Sequence, residues 1–141
     1  TGFEQSFRSL LKPEHERALI LGTGGAAAAV QYVLKKLGIP FKQVSRNPGV
    51  GVLGYEELDS RIMDAYRIII NCTPVGAFPY TEEAPAIPYT LITPAHYLYD
   101  LIYNPSETRF LRYGRERQAT VKNGYEMLEL QAEENWRIWN A

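Results

Sequence analysis

A short apolar run, Arg17-Ala18-Leu19-Ile20, breaks into a glycine-rich turn, Leu21-Gly22-Thr23-Gly24-Gly25-Ala26-Ala27, which opens a helical run reaching Leu37. Strand, glycine turn and helix in that order are how a doubly wound domain offers backbone N–H groups to a dinucleotide pyrophosphate. Gly22, Gly24 and Ala27 fit G-x-G-x-x-A. The first glycine permits the sharp turn, and the second lets a pyrophosphate reach the backbone. The small third residue lets helix and strand pack closely. Gly25 and the four alanines from Ala26 to Ala29 extend that small surface. The helix N-terminus adds a partial positive charge worth about 0.3–1 kcal/mol to an anion.

The rest of the pattern supports the same fold. Strands are predicted over residues 17–21, 39–45, 67–71, 97–102 and 119–122, and helices over 2–11, 25–37, 55–65, 106–117 and 124–139. Gly38 suits the left-handed position after the second helix, and Ser106 the N-cap of the fourth. Residues 47–54 and 73–95 read as loops, the latter broken by Pro74, Pro79, Pro85, Pro88 and Pro94. Alternating strands and helices predict an α/β, Rossmann-like, doubly wound domain. Its mostly parallel sheet has five to six strands, with helices on both faces. Ligands of such sheets bind outside the carboxyl ends of the strands. Gly22, Arg46, Asn71-Cys72-Thr73, Tyr103 and Asn123-Gly124 all fall there.

Bulk properties exclude other classes. The 141 residues fit one domain, with 45% hydrophobic and 22% charged residues. A net charge of -1 offers no global field toward nucleic acid or membrane, so an anion must be held by local geometry. No apolar run approaches the ~20 residues of a membrane span. A single cysteine, Cys72, excludes an internal disulfide and points to a reducing, cytoplasmic setting. The sequence opens at Thr1 and enters a helical pattern at once through Phe3, Phe7, Leu10 and Leu11, as expected of a domain taken from a longer chain.

The end of the second strand discriminates between nucleotides. An NAD site usually places Asp or Glu there to bond the ribose 2′-hydroxyl. Here the residues are Val44-Ser45-Arg46-Asn47, and no carboxylate appears before Glu56. Arg46 offers a planar fork for a 2′-phosphate, and Ser45 and Asn47 can donate further hydrogen bonds. NADP is the expected ligand.

Five segments now fall in a telling order. They are Gly22-Thr23-Gly24-Gly25-Ala26, the Ser45-Arg46-Asn47 corner, Ile70 to Gly76 (INCTPVG), Tyr99 to Pro105 (YDLIYNP), and Asn123 to Leu128 (NGYEML) with Gln131. Together they resemble the C-terminal, NADP-binding domain of shikimate dehydrogenases. The resemblance implies a parent enzyme that reversibly reduces 3-dehydroshikimate to shikimate with NADPH, on the route to chorismate and aromatic amino acids. The family's corner usually reads Asn-Arg-Thr, so the arginine is kept and its neighbours differ. By the same resemblance, Leu101 and Gly124 lie near the nicotinamide, Thr73 joins the cofactor set, and Tyr103 and Gln131 touch substrate. The family's catalytic lysine and aspartate belong to its N-terminal domain, whose Asn-Thr-Asp-x-x-Gly motif would end at Gly2. Lys12, Lys122 and Asp100 do not match them, so no catalytic pair is assigned and cofactor binding without turnover is expected.

Bland readings stand beside these. Gly124 can be an N-cap glycine, and Gln131 can simply face water. Cys72 reads as a buried strand-end thiol and Asp100 as a group that fixes local backbone. His15 and His96 are isolated, with no metal-ligand spacing. Trp136 and Trp139 either cover the core or face a partner. A stand-alone nucleotide-binding or assembly module, a homodimer, and the cofactor domain of a quinate/shikimate dehydrogenase stay open.

Overall fold

The structure, a computed structural model, describes residues 2–140. Its strands are β1 (Ala18–Leu21), β2 (Phe41–Val44), β3 (Val52–Leu53), β4 (Ile68–Asn71), β5 (Tyr97–Asp100) and β6 (Thr120–Lys122). They form one sheet in the order β3-β2-β1-β4-β5-β6, and every pairing is parallel. The helices are α1 (Gly2–Arg8), α2 (Gly25–Lys36), α3 (Ser60–Ala65), α4 (Arg109–Glu116) and α5 (Tyr125–Asn140). The chain winds outward from β1 in one direction and then, from β4, in the other. This places the topological switch point between β1 and β4.

The strands are apolar because both of their faces are covered, and successive side chains point to opposite faces. Ala18, Ile20, Ile68, Ile70, Tyr97 and Tyr99 join one core with Phe3 and Phe7 of α1 and Ala27, Val30, Val33 and Leu34 of α2. Leu19, Leu21, Ile69 and Leu98 join the other with Met63, Phe110 and Leu111. Ile87 and Ile92 of the proline-rich segment complete that second core. Each buried aliphatic side chain contributes about 1.5–3 kcal/mol relative to exposure. The first helix is pinned by polar contacts as well. The Tyr97 hydroxyl donates to the Phe7 carbonyl at 2.8 Å, and the Ser6 and Tyr99 hydroxyls lie 2.9 Å apart.

Several element ends differ from expectation, each for a local reason. The first helix closes at Arg8, short of Leu11. The predicted strand over 97–102 stops at Asp100, whose side chain takes the Ile102 N–H at 3.1 Å and turns the chain out of the ladder. The N-cap of α4 is Thr108, not Ser106; its hydroxyl accepts from the Leu111 N–H. The predicted helix over 55–65 is split. A 3-10 turn, Tyr55–Glu57, is followed by α3, which Asp59 caps by accepting from the Ile62 N–H at 2.9 Å. The predicted loop over 47–54 contains β3, a sixth strand only two residues long. Gly38 takes the left-handed conformation (φ +72°) expected of it.

Both histidines are buried connectors, and burial holds each below the ordinary imidazole pKa. His96 bridges the Thr93 N–H and the Met63 carbonyl, and His15 accepts from the Lys12 N–H. Trp136 and Trp139 are 65% and 86% exposed on α5, so they do not cover the core.

Candidate nucleotide crevice

The carboxyl end of β1 is shaped by Gly22. Its φ of +112° favours glycine, and its N–H donates to the Val44 carbonyl at 2.8 Å, tying β1 to β2. A Cβ built on Gly22 would lie 3.2 Å from the Thr73 methyl. Thr23 and Gly24 then lead into α2. Gly24 occupies the N-cap, no side chain caps the helix end, and its first turn holds no acidic residue. A Cβ on Gly24 or Gly25 would meet nothing within 4 Å. The first N–H groups of α2 have no partners within the helix, and Gly24 brings that helix end to the crevice at the switch point. This is the geometry that an anion at a helix N-terminus requires.

The second wall comes from the end of β2. The Ser45 N–H donates to the Leu53 carbonyl at 2.9 Å, so the two-residue β3 holds this corner in place. The Ser45 hydroxyl accepts from the Asn47 N–H at 3.1 Å. Arg46 is exposed, and its guanidinium makes no hydrogen bond or ion pair among the described residues. Gly22, Thr23, Gly24, Ser45, Arg46, Asn47 and Thr73 line one crevice of about 630 Å³. Tyr55 and the segment from Glu83 to Ala86, which sequence reasoning missed, supply its remaining side. Only Glu57, three residues after Gly54 and able to reach back to the Gly54 N–H, as it does at 2.6 Å, hints at an ordered Tyr55.

Behind the crevice lies a fully engaged polar knot. The buried Asn71 side chain accepts from the Thr73 N–H at 3.1 Å and from the Thr73 hydroxyl at 2.6 Å. Its amide donates to Asp100 at 3.2 Å. Asp100 also accepts from the Ile102 N–H, and from the Thr108 hydroxyl at 2.7 Å. Burial raises the Asp100 carboxyl to about 6, against the opposing pull of these hydrogen bonds. The carboxylate fixes backbone, as its apolar strand suggested. Burial, then the nearby Asp100 charge, pushes the Cys72 thiol up to about 12, so it is not a nucleophile at neutral pH.

A second compartment of about 490 Å³ adjoins the first across Cys72, Thr73 and Pro74. Ala26, Leu101 and Tyr103 line it. Tyr103 is 48% exposed and also borders a surface depression with Lys122, Asn123, Tyr125 and Glu126. Gly25, Gly124 and Gln131 line none of these spaces. Gly25 is the exposed first residue of α2. Gly124 is buried, and a Cβ there would overlap the Leu101 carbonyl; its missing side chain makes room for backbone. It also precedes α5, with its carbonyl accepting from the Leu128 N–H at 3.0 Å. Gln131 is exposed on α5, beside Gly2.

Strand order, glycine turn and switch-point crevice define a Rossmann-like domain of the dinucleotide-binding type. No protein-family model matches the chain. The shikimate dehydrogenase (NADP(+)) of Methanococcus maripaludis is 38% identical over 145 residues, which cover 90% of this chain and 50% of that protein. Shikimate dehydrogenase 1 of Peptoclostridium difficile superposes with a TM-score of 0.82 at 34% identity, over 99% of this chain and 52% of that one. The Thermus thermophilus shikimate 5-dehydrogenase, solved with NADP(H) and shikimate, gives a TM-score of 0.81 at 28% identity, over 98% of this chain and 54% of that one. The chain spans about half the length of the curated relatives it matches. It corresponds to the C-terminal, NADP-binding half of shikimate dehydrogenases. No described helix is long and apolar enough to cross a membrane.

Proposed function

We propose that the crevice binds NADP(H), and that the chain is the cofactor half of an enzyme that reversibly reduces 3-dehydroshikimate to shikimate. One observation carries this reading. The uncapped N-terminus of α2 borders, through Gly24, a switch-point crevice whose opposite corner holds Arg46, a guanidinium with no hydrogen bond or ion pair among the described residues. The amides around Gly24, Gly25 and Ala26 would hold the pyrophosphate. Arg46, with Ser45 and Asn47, would hold the 2′-phosphate. Thr73 and Leu101, with Gly124 keeping the Leu101 backbone close, would border the nicotinamide, which supplies or accepts the hydride when bound. Tyr103, exposed beside that compartment, would contact substrate, and Gln131 would join it from α5. The solved NADP(H) and shikimate complex of the Thermus protein supports the same assignment of ligands.

Asp100 is not available as an acid, because both of its oxygens are engaged by internal donors. On this reading the 141 residues bind cofactor without turnover, in a reducing, cytoplasmic setting. Calorimetric titration tests the binding: NADP should bind more tightly than NAD. Shikimate-dependent reduction of NADP by this chain at enzyme rates would overturn the no-turnover reading. The exposed Trp136 and Trp139 favour a second reading, in which α5 meets a partner or a second copy. Size-exclusion chromatography with and without NADP separates the two.

A further inference from the structure

Among the described residues, Arg46 is the one cationic side chain that lines the crevice, and Glu83 is the one acidic side chain. A phosphomonoester carries about 1.5 to 2 negative charges near neutral pH. A single solvent-facing guanidinium leaves such a group partly unmatched, so neutral donors have to complete its shell. The Asn47 N–H is already engaged by the Ser45 hydroxyl. Tyr55 is the further donor that the fold brings to this corner. Its ring is half-buried against the second core, which fixes its position. Its hydroxyl has no hydrogen-bond partner among the described residues. Burial raises the phenol pKa, and the Arg46 guanidinium is close enough to oppose that rise. The turn that carries Tyr55 is closed twice, by the Gly54 N–H on Glu57 and by the Leu58 N–H on the Tyr55 carbonyl at 3.2 Å. A donor held this way loses little freedom on binding.

We propose that the Tyr55 hydroxyl donates a hydrogen bond, beside Arg46, to the 2′-phosphate of the bound dinucleotide, making Tyr55 a specificity-determining residue. This rests on the nucleotide reading given above. The test is calorimetric titration of the chain and of Tyr55→Phe with NADP and with NAD, with thermal unfolding as a check on the fold. Phenylalanine keeps the packed ring and removes only the donor. The NADP Kd should rise about three- to tenfold, as for loss of a charge-assisted hydrogen bond in a wet site, while the NAD Kd stays the same. An unchanged NADP Kd, or an equal loss for both nucleotides, would overturn the proposal and leave the nucleotide reading standing. Failure of the unmodified chain to bind either nucleotide would remove both.

Discussion

The two sides of Thr73 treat their polar groups in opposite ways. Toward the sheet interior, Asn71, Asp100 and Thr108 are fully buried, and their side chains are hydrogen-bonded to one another. Toward the crevice, the first N–H groups of α2 have no partner within the helix, and the Arg46 guanidinium makes no hydrogen bond or ion pair among the described residues. Thr73 belongs to both, bonding to Asn71 while lining the crevice. A buried group left unpaired is costly, so the knot is closed. An exposed group left unpaired costs little, because water serves it until a ligand replaces the water. The rigid side therefore holds the receptive side in register, and the two should respond differently to substitution.

The largest expected effect is on the knot. Asp100→Ala strands the Ile102 N–H and the Thr108 hydroxyl, and should cost about 3 kcal/mol in urea unfolding. A loss below ~0.5 kcal/mol would show that the knot does not hold the fold. The same carboxyl sets the next effect. Its pKa stands at 3.8 when unperturbed and at about 6 in the fold. The folded chain thus keeps a proton that the unfolded chain has already released. The stability it contributes is complete below pH 4 and is lost as pH rises through 6, on the order of 3 kcal/mol. Asp100→Asn should flatten that part of the pH–stability curve, and an unchanged slope would assign it to another group.

The crevice side should behave in reverse. Arg46→Ala should weaken NADP about tenfold or more, leave NAD nearly unchanged, and shift stability by less than ~0.5 kcal/mol. Equal weakening of both nucleotides would refute the assignment of Arg46 to the 2′-phosphate. The smallest stability effect separates the neighbouring glycines. Gly24 has open space and sits at an N-cap, so Gly24→Ser should gain a few tenths of a kcal/mol while impairing NADP binding. Gly22→Ala, at a strained φ and against Thr73, should instead lower the unfolding midpoint. Intact NADP affinity in Gly24→Ser would remove the second glycine from the pyrophosphate site.

Sequence and structure divide this molecule along a physical line. The glycine turn, the alternating strands and the corner arginine are local signals. Gly22-Thr23-Gly24 must turn sharply wherever it lies, and a strand of three successive isoleucines must be covered on both faces. Those features are legible in the sequence, as is the resemblance to the shikimate dehydrogenases. Tyr55 was not, because a strand as short as Val52–Leu53 carries no periodicity, and its pairing with β2 exists only once β2 is in place. The cap of α4 was misread as Ser106 because the true cap, Thr108, is selected by a bond to Asp100, eight residues back in the chain. At Gly124, the sequence left open whether the missing side chain serves a ligand or a helix cap, and folding shows that it makes room for the Leu101 carbonyl. By itself the sequence determined the parallel sheet, its double winding and the glycine turn at its switch point. Only tertiary contact decided which polar groups are consumed within the protein and which face the crevice, because hydrogen bonding between distant segments depends on where packing leaves them.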